Sequence, residues 1–241
     1  YKNPKIKIIT NNWNRIPDDL KMTSNLNIIY KYLIDSKIIN KKEEGIISEC
    51  NNWNITGIKF DEAKGYFEEG SRVPLPQWTR IHRISGQEGF IGRFLPRDDA
   101  RGLFIGNYTD CCQRIGGAAE DVAIHSQTSK HAAVFIVEKN GVIIAQSYTF
   151  DDGNRNVIFD NIEADFGSFS SDYPKDLLLK IIVDIYKEAA QKIKSLGYES
   201  VLLGANQYGI TPQDYKIFNL EEADKKYKNL EAPDYEGNYP L

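Results

Sequence analysis

Cysteine is scarce in this 241-residue chain: there are three, and Cys111 and Cys112 are adjacent. Such a set builds no disulfide framework of the kind that staples small secreted domains. Neighbouring cysteines bridge only with strain, so all three thiols are expected reduced, with Cys50 structural, in a cytoplasmic setting. Adjacent cysteines are also poor joint ligands for one tetrahedral ion. Cys111-Cys112 followed by His125 and His131 fits no regular ligand spacing, so no metal is expected. Long apolar runs are missing as well: none approaches bilayer length, and no secretory n-region and h-region opens the chain. No membrane partner is expected. The chain starts at Tyr1 rather than methionine and stops at Pro240-Leu241, which reads as a piece of a longer polypeptide with flanking domains.

An excess of positive charge is absent too, the formal net charge being −4. Residues 1–100 hold 16 Lys/Arg against 13 Asp/Glu, and residues 101–241 hold 14 against 21. This balance argues against broad nucleic-acid binding. One basic stretch stands out: Arg72, Arg80, His82, Arg83, Arg93, Arg97 and Arg101, interleaved with Trp78 and Phe90. Asp98 and Asp99 dilute it, and the preferred reading is a solvated surface of Arg–carboxylate pairs.

What the chain does have lies between residues 133 and 206. Apolar runs at 133–137, 142–150 and 157–162 read as strands. Asn140-Gly141 tolerates positive φ at both positions and predicts a tight antiparallel hairpin. Asp151-Asp152-Gly153-Asn154 predicts a looser turn into the third strand. After a Gly/Ser loop, Ser171 or Asp172 is a candidate cap for a helix with Pro174 in its first turn. Leu178, Ile181, Ile182, Ile185, Ala189, Ile193 and Leu196 recur at helical spacing over 174–196, most lysines fall on the other face, and Gly197 suits the residue past the end. A final strand is expected at 200–203. A strand entering a helix and a strand leaving it form a crossover, so these last two strands should be parallel. The fold class that follows is α+β (α/β-like), a mixed and mainly antiparallel sheet with a helix packed on it.

The first ninety residues are less regular. Residues 6–10 read as a strand, and 18–36 as a helix with Leu20, Ile28, Ile29, Tyr32 and Leu33 on its apolar side. Asn-Asn-Trp-Asn at 11–14 and 51–54 lacks matching flanks and is coincidence rather than repeat. Pro74, Pro76, Gly86, Gly89 and Gly92 mark 70–100 as a turn-rich connector. The expected organisation is a smaller N-terminal α+β region, 1–95, and a main domain, 96–241.

The layout of three strands, long helix and returning strand resembles the core of the GNAT superfamily of acyl-CoA-dependent N-acyltransferases, over about residues 100–220. The resemblance implies that the strands at 157–163 and 200–205 splay apart, with the pantetheine of acetyl-CoA in the gap along Asn161, Ile162 and Ala164. It implies that the pyrophosphate meets N–H groups at the start of the following helix, helped by Ser168, Ser170, Ser171 and Lys175. The family's Arg/Gln-x-x-Gly-x-Gly/Ala loop is degenerate here. Residues 166–175 read Phe-Gly-Ser-Phe-Ser-Ser-Asp-Tyr-Pro-Lys, with one glycine and an unhelpful charge at Asp172. Asn206 matches the family's Asn after the fifth strand. The Tyr that follows it in the family, often a general acid, is poorly matched: Tyr208 is early and Tyr215 slightly late.

Glu163 and Asp165 end the third strand beside the proposed gap, where a carboxylate could take a proton from an amine; Glu120 and Asp121 could face the same cleft. A separate candidate is Thr109-Asp110-Cys111-Cys112-Gln113-Arg114-Ile115-Gly116-Gly117. It follows an alternating, strand-like run at 102–108, and Asp110 with Gln113 fits a capping box. Both cysteines would then sit in a first helical turn, which lowers a thiol's pKa, with His125 or His131 as base. The competing reading is one cysteine packed inside and the other lining a cleft. Three functions from different classes follow. The leading one transfers acetyl from acetyl-CoA to a small-molecule or protein amine. The second is a non-catalytic binding or structural module of the same fold, and the third is a thiol-dependent enzyme.

Overall fold

The computed structural model describes residues 8, 11–21, 26–40, 43, 72–97, 99–114, 117–166, 173–204, 210–220, 225–228 and 234–241. Among these, the strands are β1 (Ile84–Ser85), β2 (Phe90–Phe94), β3 (Ala132–Lys139), β4 (Val142–Asp151), β5 (Asn156–Phe159), β6 (Glu163–Ala164), β7 (Ser200–Gly204), β8 (Lys225–Lys228) and β9 (Asp234–Pro240). The α-helices are α1 (Asp18–Lys21), α2 (Leu26–Asp35), α3 (Gly106–Thr109), α4 (Glu120–Thr128), α5 (Lys175–Ser195) and α6 (Pro212–Ile217). The strands form one mixed sheet in the order β1-β2-β3-β4-β5-β7-β9-β8, with β6 also paired to β4.

Local chemistry explains the centre of the sheet. Asn140 and Gly141 take φ of 51° and 81°, which closes the β3–β4 hairpin with a twist matched to its strands. In the next turn the Asp152 carboxylate accepts from the backbone N–H groups of Asn154 (2.8 Å) and Asn156 (3.2 Å), a side-chain substitute for turn hydrogen bonds. Helix α5 then crosses over, and β5 and β7 pair in parallel, as the crossover requires. All the other strand pairs are antiparallel.

Helix α5 buries Leu178, Ile181, Ile182, Ile185, Ala189 and Ile193 against one face of the sheet, with Tyr186 fully enclosed among Phe135 and Phe159. Leu196, expected on this stripe, is 48% exposed, because the helix ends at Ser195 and Gly197 turns the chain away with φ +95°. The N-cap is Pro174 itself, not Ser171 or Asp172. On the polar face Lys180 pairs with Asp184, and Lys192 pairs with Glu188 at 3.0 Å.

The connector expected over 70–100 contains strands instead. β2 alternates inward at Phe90, Gly92 and Phe94 and pairs with β3, so the sheet crosses residue 95. Gly92 is not a turn residue: a Cβ there would lie 2.3 Å from Ile185 Cγ2 and 2.8 Å from Phe135 Cζ. It lets α5 approach the strand closely, a common use of glycine within a strand.

The opposite face of the sheet is covered by α3, α4 and the turn Ala100–Phe104. The run at 102–108, read as an alternating strand, is a 3-10 turn followed by α3. Leu103, Phe104, Ile105, Tyr108 and Thr109 are all buried, so periodicity could not separate helix from strand here. The N-terminal helices α1 and α2 join this layer, with Ile29, Tyr30 and Leu33 packed on Leu103 and Phe104. Residues 22–25, between α1 and α2, lie outside the described residues. Ile8 is helical, its carbonyl accepting from Asn12 N, which replaces a strand at that position.

The basic stretch is not uniformly solvated. Arg93 makes a two-pronged contact with Glu138 at 3.1 and 3.0 Å. Arg101 is buried and paired with Asp99 at 2.5 Å; burial pulls its pKa down, but the Asp99 hydrogen bond and charge outweigh this and the net shift is upward. Arg97 is buried too, and its guanidinium donates to the carbonyls of Ser126, Ser129 and Ala132. These residues fasten the end of α4 to β3. Among the described residues no helix is long and apolar enough to cross a membrane.

Candidate functional site

The strands expected to splay from 157 and 200 onward are paired in parallel as far as Phe159 and Leu203, and the sheet is irregular only beyond them and on the side of β4. β5 pairs with β7 up to Phe159↔Leu203 and with β4 at Thr149↔Phe159. The next pair on β4 is Gln146↔Glu163. Residues 160–162 therefore oppose only Ser147 and Tyr148, which is a β-bulge, a device that re-aims side chains and often borders active sites. Its backbone is held: Asp160 N donates to Tyr148 O at 2.8 Å, Ile210 N donates to Ile162 O at 3.1 Å, and the Ser147 hydroxyl donates to Asn161 O. Two of the carbonyls expected along the pantetheine path thus already have protein partners.

Polar side chains converge on this bulge. Asn161 Nδ2 donates to Glu163 Oε1 at 2.7 Å. Gln113 Nε2 donates to Asp160 Oδ2 at 2.8 Å, and Gln146 Nε2 donates to Gln113 Oε1 at 3.2 Å. Ser147 Oγ lies 2.9 Å from Tyr186 Oη. Tyr215, on α6, is fully buried and packs edge-on against Tyr239 with ring centroids 4.9 Å apart. Burial pushes the Tyr215 phenol up, a hydrogen bond from the Ile162 backbone opposes this, and the charges of Glu163 and Asp160 add to the rise. Burial likewise raises Tyr186, opposed by its Ser147 bond. Both phenols keep their protons at neutral pH. Two buried polar atoms here have no hydrogen-bond partner among the described residues: Gln146 Oε1 and Asn161 Oδ1.

The cysteines reach the same place by a different route from the expected one. Asp110 is the left-handed residue that ends α3, with φ 51°, so Cys111 and Cys112 follow a helix and do not start one. No helix starts at either residue. Burial pushes the Cys111 thiol up, and Glu163 adds to the effect. Cys111 is buried and Cys112 exposed, both free, which agrees with one cysteine packed inside. Gly106 and Gly117 admit the loop closely, since a Cβ would lie 2.3 Å from Cys111 O or 2.0 Å from Cys112 O. Peptide mapping after iodoacetamide at neutral pH should find Cys112 carboxamidomethylated well before Cys111. Equal labelling of the two would contradict a buried, raised Cys111.

His125 Nδ1 lies 2.8 Å from Tyr148 Oη, and His131 Nδ1 lies 3.0 Å from Asp151 Oδ1, whose other oxygen accepts from Trp78 Nε1 at 2.9 Å. Each imidazole has a partner other than a thiol. Glu120 and Asp121 occupy the first turn of α4, where carboxylates complement the helix dipole. Asp165 N donates to Ile144 O at 2.9 Å, continuing the β6–β4 pairing. Lys175 Nζ lies 5.4 Å from the Phe166 ring centroid at the start of α5. Ser168, Ser170, Ser171 and Asn206, like Cys50 and Tyr208, lie outside the described residues. Among the described residues no three His, Cys, Asp or Glu side chains group as a metal site.

Sequence reading missed Gln113, Gln146 and Tyr186 and set Tyr215 aside. One signal was readable for Tyr215. Thr211-Pro212-Gln213-Asp214 is a capping box, with Asp214 Oδ2 accepting from Thr211 N at 2.9 Å, and it announces a short helix that carries Tyr215 inward.

No protein-family model matches the chain, and no curated protein matches it in sequence. Among solved structures it is similar to an N-acetyltransferase from Staphylococcus aureus Mu50, with 17% identity, a TM-score of 0.38, and 63% of this chain and 97% of that one covered. It is similar to the ribosomal-protein-S18-alanine N-acetyltransferase from Escherichia coli, with 16% identity, a TM-score of 0.40, and coverage of 63% and 88%. A ribosomal-protein-alanine N-acetyltransferase from Brucella melitensis biovar Abortus 2308 matches at 14% identity and a TM-score of 0.38, over 60% of this chain and 99% of that one. The chain's own strand order, with its antiparallel hairpin, parallel pair and crossover helix, makes the fold GNAT-like.

Proposed function

We propose that the chain is an N-acetyltransferase that moves an acetyl group from acetyl-CoA to an amine. The observation that carries this reading is the bulge at 160–162, which follows the end of the parallel β5–β7 pairing and sets Glu163 opposite Gln146 on β4. The fit to acetyl-CoA rests on two features. Helix α5 has no side-chain cap at its N-terminus, so its first N–H groups suit a pyrophosphate. Beside the bulge, the buried Gln146 Oε1 and Asn161 Oδ1 lack partners among the described residues. The Ala164 end of the bulge and the start of α5, with Lys175, would hold the cosubstrate.

Acetyl-CoA supplies an acetyl group on a thioester, whose carbon an amine can attack. The protein's part is proton management. Glu163, fixed by Asn161 Nδ2, takes the proton that the amine must lose. Tyr215, kept protonated by burial and by Glu163, is the donor available to the departing thiolate. Tyr215→Phe removes only a hydroxyl whose contact is the Ile162 backbone, so the unfolding midpoint should change little. The same change should lower kcat by roughly 10²-fold. Thiol release from acetyl-CoA, followed over a panel of amines, tests the reading. Turnover with at least one amine supports it; acetyl-CoA binding with no turnover on any would favour the non-catalytic module.

A further inference from the structure

The three amides around the bulge have a defined direction. A carboxylate can only accept hydrogen bonds. Asp160 therefore fixes Gln113 with Nε2 toward it and Oε1 away from it. Gln113 Oε1 in turn accepts only, which fixes Gln146 with Nε2 toward Gln113 and Oε1 pointing away. Gln146 is fully buried, and its Oε1 has no partner among the described residues. Asn161 is oriented by the same logic: Glu163 takes its Nδ2, and its buried Oδ1 is left over. Gln146 and Glu163 stand directly opposite one another on β4 and β6, so their side chains share a face a few ångströms apart.

We propose that Gln146 Oε1 and Asn161 Oδ1 form, with Glu163 between them, a subsite for a primary ammonium group, and that Gln113 is the positioning residue that aims it. This deepens the acetyltransferase reading and rests on it. Two neutral oxygens and one carboxylate, all acceptors, call for a ligand with several N–H donors and one positive charge. A buried amide oxygen left without a donor is costly, so a group that satisfies both oxygens is selected over one that cannot donate. A primary ammonium has three donors, whereas a quaternary ammonium has the same charge and none. The Gln113 link gives the Cys111–Arg114 loop a role in this selection that does not require thiol chemistry.

The test uses the whole chain and the side-chain amide NMR signals of Gln146 and Asn161. Addition of n-propylammonium chloride should shift both signals saturably, while n-propyltrimethylammonium chloride at equal ionic strength should not. Gln146→Met should weaken the n-propylammonium response about tenfold. Gln113→Met should weaken it as well, by letting the Gln146 amide turn. Equal responses to the two cations, or none from n-propylammonium while acetyl-CoA still binds, would overturn the subsite; in the second case buried water fills the oxygens' needs. A failure to bind acetyl-CoA would instead remove the parent reading, so the two failures are distinguishable.

Discussion

Glu163→Gln should slow acetyl transfer by about 10²–10⁴-fold at neutral pH, the range for removal of a general base, while acetyl-CoA affinity stays within a factor of a few. The amide keeps the size of the carboxylate but cannot accept the amine's proton. It can still accept from Asn161 Nδ2 through its own oxygen, so the bulge geometry persists. The loss should appear in kcat, because the carboxylate acts in the chemical step. There is a second consequence. Glu163 helps hold up the pKa of Cys111, Tyr186 and Tyr215, after burial in each case. Removing its charge should make Cys111 more readily alkylated. A kcat unchanged by Glu163→Gln would place the base elsewhere, with Asp165 the next residue to replace.

The largest stability effect is expected at Arg97. Its guanidinium is buried and bonded to the carbonyls of Ser126, Ser129 and Ala132. Burial pulls its pKa down to about 10, so it remains charged at neutral pH, and the carbonyls stabilise that charge. Arg97→Met fills similar space and strands those carbonyls, each at a cost of roughly 1–3 kcal/mol. A loss of at least about 3 kcal/mol should follow, read from urea unfolding. Arg97→Lys should recover only part, because a single ammonium lacks the fork that reaches separate acceptors. A shift below about 0.5 kcal/mol for Arg97→Met, the size of an ordinary surface change, would contradict the assignment.

These two residues show what a sequence discloses and what it hides. The strand that leads to Glu163 was readable because its signals are local: the Asn140-Gly141 turn, the periodicity of α5 and the crossover rule. Its end was not: β5 stops at Phe159 rather than Ile162, and Glu163 begins the separate strand β6. Arg97 was not readable either. In sequence it belongs to a basic cluster, and only the folded chain brings the end of α4 over it. Strand β2 was hidden for the same reason, because Gly92 looks like a turn residue until Ile185 is seen against it. The orientation of the amide chain is non-local as well: Gln113 and Asp160 are 47 residues apart, and Gln113 and Gln146 are 33 apart. No local pattern records such contacts. Tyr215 was discounted by counting residues from Asn206, whereas helix α6 sets its position by turning it onto Tyr239. The Cys111-Cys112 helix start failed because Asp110, a good N-cap by composition, serves equally well in the left-handed conformation that ends a helix.

The claim on which the rest depends is that the bulge and the start of α5 together bind acetyl-CoA. Calorimetric titration of the whole chain with acetyl-CoA tests it directly. Saturable heat with one site per chain is expected, together with weaker binding of dephosphorylated pantetheine, which lacks the pyrophosphate that α5 would meet. Absence of any heat at millimolar acetyl-CoA would contradict the account and leave a GNAT-like fold put to some other use.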